Sequence, residues 1–199
     1  MRVPYRFDTI CVVPGRVYSA LLDQAQQQYG FLTPEDARVV GVDPTQLRIM
    51  AARHTLEHRG YGLYRMTAVL PTELDAYMEA TLWTRRRGTL SHETALDLHD
   101  LCDVNPIAIH LTVPPDFRTR KHVPVGYSLH REDLDETELR WHEGIPIVSA
   151  ARAIRGAIDD ALGWHLIRQA IDNARARGLI SKRQAEELRA MRPSGGARG

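Results

Sequence analysis

Two helix starts ten residues apart, each a capping residue followed by proline, constrain this chain most: Thr33-Pro34 and Asp43-Pro44. Proline has no N–H to lose at a first helical position, and a threonine or aspartate oxygen can accept an otherwise orphaned one. Glu35 and Asp36 follow in the first turn, where negative charge suits the positive end of the helix dipole. Gly41 supplies the left-handed exit that a tight stop requires. In the second helix Leu47, Met50 and Ala51 share one face, while Thr45, Arg48, Ile49, Ala52 and Arg53 lie opposite. The runs Thr55 to Arg59 and Leu63 to Met66 then flank Gly60-Tyr61-Gly62, which predicts a β-hairpin.

Helix, glycine turn, helix and basic hairpin together predict a winged helix-turn-helix over residues 1–70. Its first helix is expected from Pro14 to Tyr29-Gly30, with Val17, Leu21, Ala25 and Gln28 at helical spacing. The Gln24, Gln26, Gln27 and Gln28 cluster reads as its solvated face, and Phe7 to Val13 as a short strand or arm. A helix fits the major groove and a basic hairpin tip reaches phosphates or the minor groove. The expected DNA-contacting residues are therefore Thr45, Gln46, Arg48, Ile49 and Arg53, with His58, Arg59 and Tyr61 in the wing. Ile49 is the informative one: it either meets a thymine methyl or is buried under another helix.

The 199 residues suffice for one large or two small domains, and the net charge of +1 excludes a non-specific nucleic-acid coat. Any DNA binding must come from a local patch. No apolar run approaches the roughly 18 to 20 residues needed to span a bilayer, and the N-terminus lacks a signal peptide's apolar core. A cytoplasmic protein without membrane contact is expected. Cys11 and Cys102 form no CxxC, so neither a disulfide framework nor a zinc site is indicated.

Pro71 marks the boundary to a mixed α/β domain over 71–192, followed by a disordered tail at 193–199. A helix is predicted from Thr72 to Arg86, ending in Arg85-Arg86-Arg87, which reads either as a dipole cap or as a phosphate contact. Ser91 starts the next helix, SHETALDLHDL. Its His92-Glu93 resembles the start of HExxH, but Leu96 stands where the second ligand belongs. His92 and His99 share a face with no carboxylate or cysteine to complete a site, so no metal and no cofactor are expected. Strands are predicted at Ile107 to Val113, Val123 to Leu129, Leu139 to His142 and Ile145 to Val148. A basic loop, Arg118 to His122, and an acidic segment, Glu132 to Glu138, lie between them. Ser149 caps a helix with Ala153, Ile154, Ala157 and Ile158 inward, and helices over Trp164 to Arg177 and Ser181 to Met191 make the C-terminus helical. The fold class is α+β.

Three motifs resemble the AbiEi-type antitoxins and regulators of type IV, or abortive-infection, toxin–antitoxin systems. The first is GVDPTQLRIMAARHTLEHRGYGLYRM, similar to that family's helix-turn-helix and wing and ending in Gly62-x-Tyr64-Arg65. The second, Ser91-His92-Glu93-Thr94-Ala95-Leu96 with His99 and Leu101, is similar to SH-x-SAL-x-x-HGL. The third, Gly144 to Ser149 followed by Arg152, is similar to G-x-P-V-T-S-x-x-R-T-x-x-D. Here His54 stands for a glycine before the wing, Asp100 for the glycine of HGL, and Ala153 and Gly156 for the threonine and aspartate of the third motif.

The resemblance implies an N-terminal domain that binds inverted repeats upstream of its own operon and represses it; a repressor on such repeats often binds as two copies, though the sequence shows no dimer seam. It implies a C-terminal antitoxin domain that counteracts a co-encoded nucleotidyltransferase-like toxin, functionally or by direct contact. Two other readings stay open: a toxin-binding inhibitor without specific DNA binding, and an enzyme that modifies the toxin by phosphotransfer. The chain has no GxxxxGK[ST], HRD or DFG motif, so no catalytic residue is assigned and a non-enzyme is expected.

Overall fold

The structure, a computed structural model, describes residues 15–60, 62–120 and 122–191. The chain is α+β, with eight α-helices and two sheets among the described residues, and divides into two compact units, Met1–Leu70 and Pro71–Gly199. The predicted arm at Phe7 to Val13 and the tail at 193–199 lie outside the described residues. Among the described residues no helix is long and apolar enough to cross a membrane.

The first unit holds α1 (Arg16–Gln26), β1 (Phe31–Leu32), α2 (Pro34–Val39), α3 (Thr45–Ala52), β2 (Leu56–Gly60) and β3 (Leu63–Met66). At α2 the Asp36 N–H donates to Thr33 Oγ1 (3.3 Å) while Asp36 Oδ2 accepts from the Thr33 N–H (2.7 Å), a reciprocal box that fixes the entry. Its exit is equally determined. Gly41 has φ +73°, its N–H donates to the Arg38 carbonyl (3.0 Å), and the Val42 N–H donates to the Ala37 carbonyl (2.8 Å). Asp43 Oδ1 accepts the Thr45 N–H (2.7 Å) and so restarts the chain as α3; hydrogen bonding from the Thr45 side chain, and then from its backbone, holds the Asp43 carboxyl below its usual pKa. α3 ends by the same device, with His54 at φ +58° and the Thr55 N–H donating to the Met50 carbonyl (2.9 Å).

The three strands form an antiparallel sheet in the order β1-β3-β2. Leu21, Ala25, Leu32, Ala37, Val42, Leu47, Leu56, Tyr64 and Met66 make one core from every element of the unit. β1 is an addition to the sequence reading: two residues long, it carries no periodicity to detect. Gln28 corrects another expectation, since it is buried and donates from Nε2 to the Phe31 carbonyl (3.0 Å) instead of facing solvent. Arg65 is buried in β3, where its guanidinium lies 5.9 Å from the Phe31 ring centre and donates to the Val69 carbonyl (3.1 Å).

The second unit is built on a mixed five-stranded sheet, in the order β6-β5-β4-β8-β7. Its elements are α4 (Asp75–Trp83), β4 (Thr89–Leu90), α5 (His92–Leu98), β5 (Ile109–Val113), β6 (Tyr127–Arg131), β7 (Leu139–His142), β8 (Ile145–Val148), α6 (Ala150–Asp159), α7 (Trp164–Ala176) and α8 (Lys182–Ala190). The central strand β4 pairs antiparallel with β5 and parallel with β8. β6 begins at Tyr127, not at Val123, because Pro124 lacks a donor and Gly126 turns the chain at φ +92°. α4 stops at Trp83, so Arg85 and Arg86 lie beyond the helix in left-handed conformation, and Arg87 pairs with Asp116 (2.5 Å).

Strand alternation sorts the sheet into two faces. Val113, Tyr127 and Leu129 pack with Trp83 of α4 and with Phe117. His110 and Thr112, with their register partners Ser128 and His130, point to the other face, beside α5 and α6. α7 packs on α6 and α8 on α7. In α6 Ala153, Ile154, Ala157 and Ile158 are all inward, and Ser149 Oγ accepts the Arg152 N–H at 3.4 Å.

His54 occupies a conformation that favours glycine by about 1 kcal/mol. His54→Gly is expected to stabilise the N-terminal unit by that amount, slowing amide exchange in α3 by about fivefold. Exchange that speeds up would mean that the imidazole makes a compensating contact.

Candidate functional site

Among the described residues two places assemble chemically active side chains, one in each unit. In the first, α3 turns Leu47 into the core, which leaves Thr45, Arg48, Ile49 and Arg53 exposed and Gln46 half-buried. Ile49 is 37% exposed, so it belongs to the surface and not to the packing beneath another helix. Thr45 and Arg53 lie at the two ends of the helix. His58 and Arg59 are exposed on β2, and Tyr61 lies outside the described residues. Among the described residues neither Arg48 nor Arg53 forms an ion pair.

Arg48 and His58 are brought together. With Ala51, Gly62 and Tyr64 they line a concavity of about 440 Å³ between helix and hairpin. The His58 ring packs on its cross-strand partner Tyr64, with centroids 5.1 Å apart and planes tilted by 38°. Tyr64 fixes where the imidazole sits, a role visible in the sequence only through hairpin register. The concave side thus offers a guanidinium, an imidazole and apolar walls, a combination suited to a polyanion with flat or methylated groups.

In the second unit three histidines from three elements stack. His130 of β6 lies against His92 of α5 (centroids 3.5 Å, planes 16° apart) and beside His110 of β5 (5.2 Å, 13°). His110 Nδ1 and His130 Nε2 are 3.0 Å apart. Asp160, the C-cap of α6, places Oδ2 3.6 Å from His110 Nδ1 and 3.7 Å from His130 Nε2. Ser91 Oγ lies 2.9 Å from His92 Nδ1 and Ser128 Oγ 3.4 Å from His130 Nε2. Thr94 seats α5 on the sheet by accepting the His110 N–H (2.9 Å) and donating to the Ala108 carbonyl (3.3 Å).

Two features of the backbone make room for this stack. His92 has φ +51° at the first position of its helix, a conformation that strains a residue with a β-carbon. Gly156 of α6 faces it so closely that an added β-carbon would lie 2.7 Å from His92 Cδ2 and Nε2. Burial, with the neighbouring His130, His110 and Arg152, pushes the His92 pKa down to about 2. Burial also lowers His110, against the pull of Glu93 and Asp160, and His130, against that of Asp160.

The sequence pairing of His92 with His99 separates in space. His99 donates from Nε2 to the Val148 carbonyl (2.8 Å) and is a satisfied structural residue, also held neutral by burial. His92 instead belongs with His110 and His130, which sequence spacing did not single out. The available signal was a histidine alternating with apolar residues in each of two strands, His110 in IHLTV and His130 in YSLHR. Beside the cluster, buried Arg152 pairs with Glu132 and lies 3.8 Å from Glu138. The acidic segment is therefore tied partly to the unit's own interior, and in the basic loop Arg118 folds back on the Pro115 and Phe117 carbonyls (2.6 and 3.0 Å). Cys102 is buried, which pushes its thiol pKa up to about 11 and leaves it inert.

No family model matches the chain, and no curated protein matches it. Among solved structures it is similar to the crystal structure of the Rv2827c protein from Mycobacterium tuberculosis, at 19% identity and a TM-score of 0.56. The match covers 90% of this chain and 73% of that one, and at this identity the likeness is one of fold.

Gly156→Ala is expected to destabilise the second unit by about 1–3 kcal/mol, because the His92 ring must leave its seat. A denaturant titration checks it; an unchanged midpoint would place the ring elsewhere. The buried His92 and His110 and the half-buried His99 and His130 fix a pH dependence as well. Their folded pKa values lie below 6.5, so under that pH the unfolded chain binds more protons and stability falls as pH drops. For His92 alone the loss is about 1.4 kcal/mol per pH unit. Melting temperatures in chelated buffer are expected to level off above pH 7 and to fall towards pH 5; a flat profile would exclude neutral burial.

Proposed function

We propose that the protein is a DNA-binding antitoxin of the AbiEi type, whose N-terminal unit is a winged helix-turn-helix reading operator repeats upstream of its own operon. The observation that carries this reading is the outer face of α3 beside the hairpin. Arg48, Ile49, Thr45 and Arg53 are exposed on a helix narrow enough for a major groove, and Arg48 shares its concavity with His58. Arg48 reads a base edge, Ile49 meets a thymine methyl, and Arg59 holds a phosphate at the wing. The resemblance of three sequence motifs to those of AbiEi-type proteins supports the same reading. In this scheme two copies repress the operon, and the C-terminal unit counteracts the co-encoded nucleotidyltransferase-like toxin.

A direct toxin contact through the C-terminal unit is favoured by Trp141, 74% exposed on edge strand β7 close to exposed Leu139. A large aromatic left at an edge is a common anchor in protein interfaces. Co-purification with the toxin, lost in Trp141→Ala, separates that route from an indirect one.

The deciding experiment titrates the protein onto DNA from upstream of its own gene and onto a scrambled control, at two salt concentrations. Arg48→Ala is expected to lose about 1–3 kcal/mol of discrimination at one base pair. Arg59→Ala is expected to weaken binding on all sequences and to lower the salt slope by about one. Equal binding to both DNAs, abolished by salt, would leave only non-specific electrostatics. Operator binding unchanged in both variants would overturn the site assignment.

A further inference from the structure

We propose that His110, His130 and Asp160, with His92 as a fourth donor within reach, bind one divalent transition-metal ion of the zinc class in the C-terminal unit. Three ligand atoms already converge. His110 Nδ1 and His130 Nε2 are 3.0 Å apart, and Asp160 Oδ2 is 3.6 and 3.7 Å from them. The point equidistant from all three lies about 2.0 Å from each, which is the length of a zinc–imidazole or zinc–carboxylate bond. An ion fits there without rearrangement of the backbone. The ligand nitrogen of His92 lies within 4.8 Å of those of His110 and His130.

The donor chemistry selects the ion. Two or three neutral imidazoles and one carboxylate suit zinc, nickel, cobalt or iron, whereas magnesium and calcium prefer all-oxygen shells. Without an ion, His110 Nδ1 and His130 Nε2 must share one proton between two lone pairs, with a carboxylate beside them. An ion satisfies all three at once. Burial that keeps the rings neutral favours ligation over protonation. The His92 ring, nearly parallel to His130 and held at Nδ1 by Ser91, orients its neighbour in the way that supporting groups orient metal ligands. The strained backbone at His92 and the missing side chain at Gly156 both serve this one arrangement. Asp160 is one-third exposed, which gives the ion a way in and leaves a ligand position open to water.

The site joins α5, β5, β6 and the end of α6, so metal should stabilise the unit whether or not the DNA-binding reading holds. The test uses the full chain, stripped with chelator and titrated calorimetrically with zinc chloride. One equivalent is expected to bind, raising the melting temperature, with no competition from magnesium. Asp160→Asn, which keeps size and polarity at a helix end, is expected to weaken binding by about tenfold to a hundredfold, and His130→Gln by at least as much. His165→Gln, on an exposed histidine, is the control and is expected to bind zinc normally. Cobalt(II) added to the unaltered chain reads the ligand set independently of any variant: intense visible bands mark a low-coordinate nitrogen and oxygen site. The proposal is overturned if no zinc binds at micromolar concentration, if folded Asp160→Asn binds as tightly as the unaltered chain, or if cobalt retains the pale spectrum of the hydrated ion.

Discussion

The structure depends on the left-handed residue that closes each helix from α2 to α7. In these six helices the residue after the C-cap has positive φ: Gly41, His54, Arg85, Asp100, Ala161 and Gly178. The next N–H in each case returns to a carbonyl of the last turn, as Leu101 does to Leu96 and Leu162 to Ala157. Only two of the six are glycines, so the others each hold a conformation disfavoured by about 1–2 kcal/mol. What they secure is direction. The exit at Gly41 aims α3, the exit at Asp100 leaves His99 as a C-cap against Val148, and the exit at Ala161 leaves Asp160 as a C-cap beside the histidines.

The two units solve opposite problems with polar groups. The first keeps its chemistry on the outside, where Arg48 and His58 border a concave surface, and among its described polar side chains Gln28, Asp36 and Arg65 are taken inside. The second carries its chemistry inward, with His92, His110 and Arg152 nearly inaccessible and each met by partners from other elements. Gly156 belongs to this second arrangement. Gly156 leaves room for the His92 ring, and the carboxylate next to the histidines comes from Asp160, one helical turn further on.

Signals confined to a few neighbouring residues were legible in the sequence. Thr33-Pro34, Gly41, the glycine-flanked hairpin, Ser149 and the inward face of α6 each act over one turn, and each lies where its chemistry places it. The outer face of α3 was readable for the same reason, since helical periodicity alone separates Arg48 and Ile49 from Leu47. What was hidden was built from long-range pairings. β1 and β4 are two residues each and exist only through their partners. The histidine cluster draws on four elements, and a scan of spacing within one helix could find only the unrelated pair His92 and His99. Gln28 looked solvated because its neighbours are, while its own amide had a backbone carbonyl to meet.

The two-residue strand β4 also sets an order of events. Leu90 lies at the centre of its sheet but is held on one side by Leu111 and on the other by Ile147. A chain emerging from the ribosome can complete the contacts of the first unit once residue 66 is free, because β3 closes that sheet. The second sheet must wait until residues 145–148 have been made, and the loop to be closed is long. The N-terminal unit can therefore reach its native form while much of the other is still being synthesised.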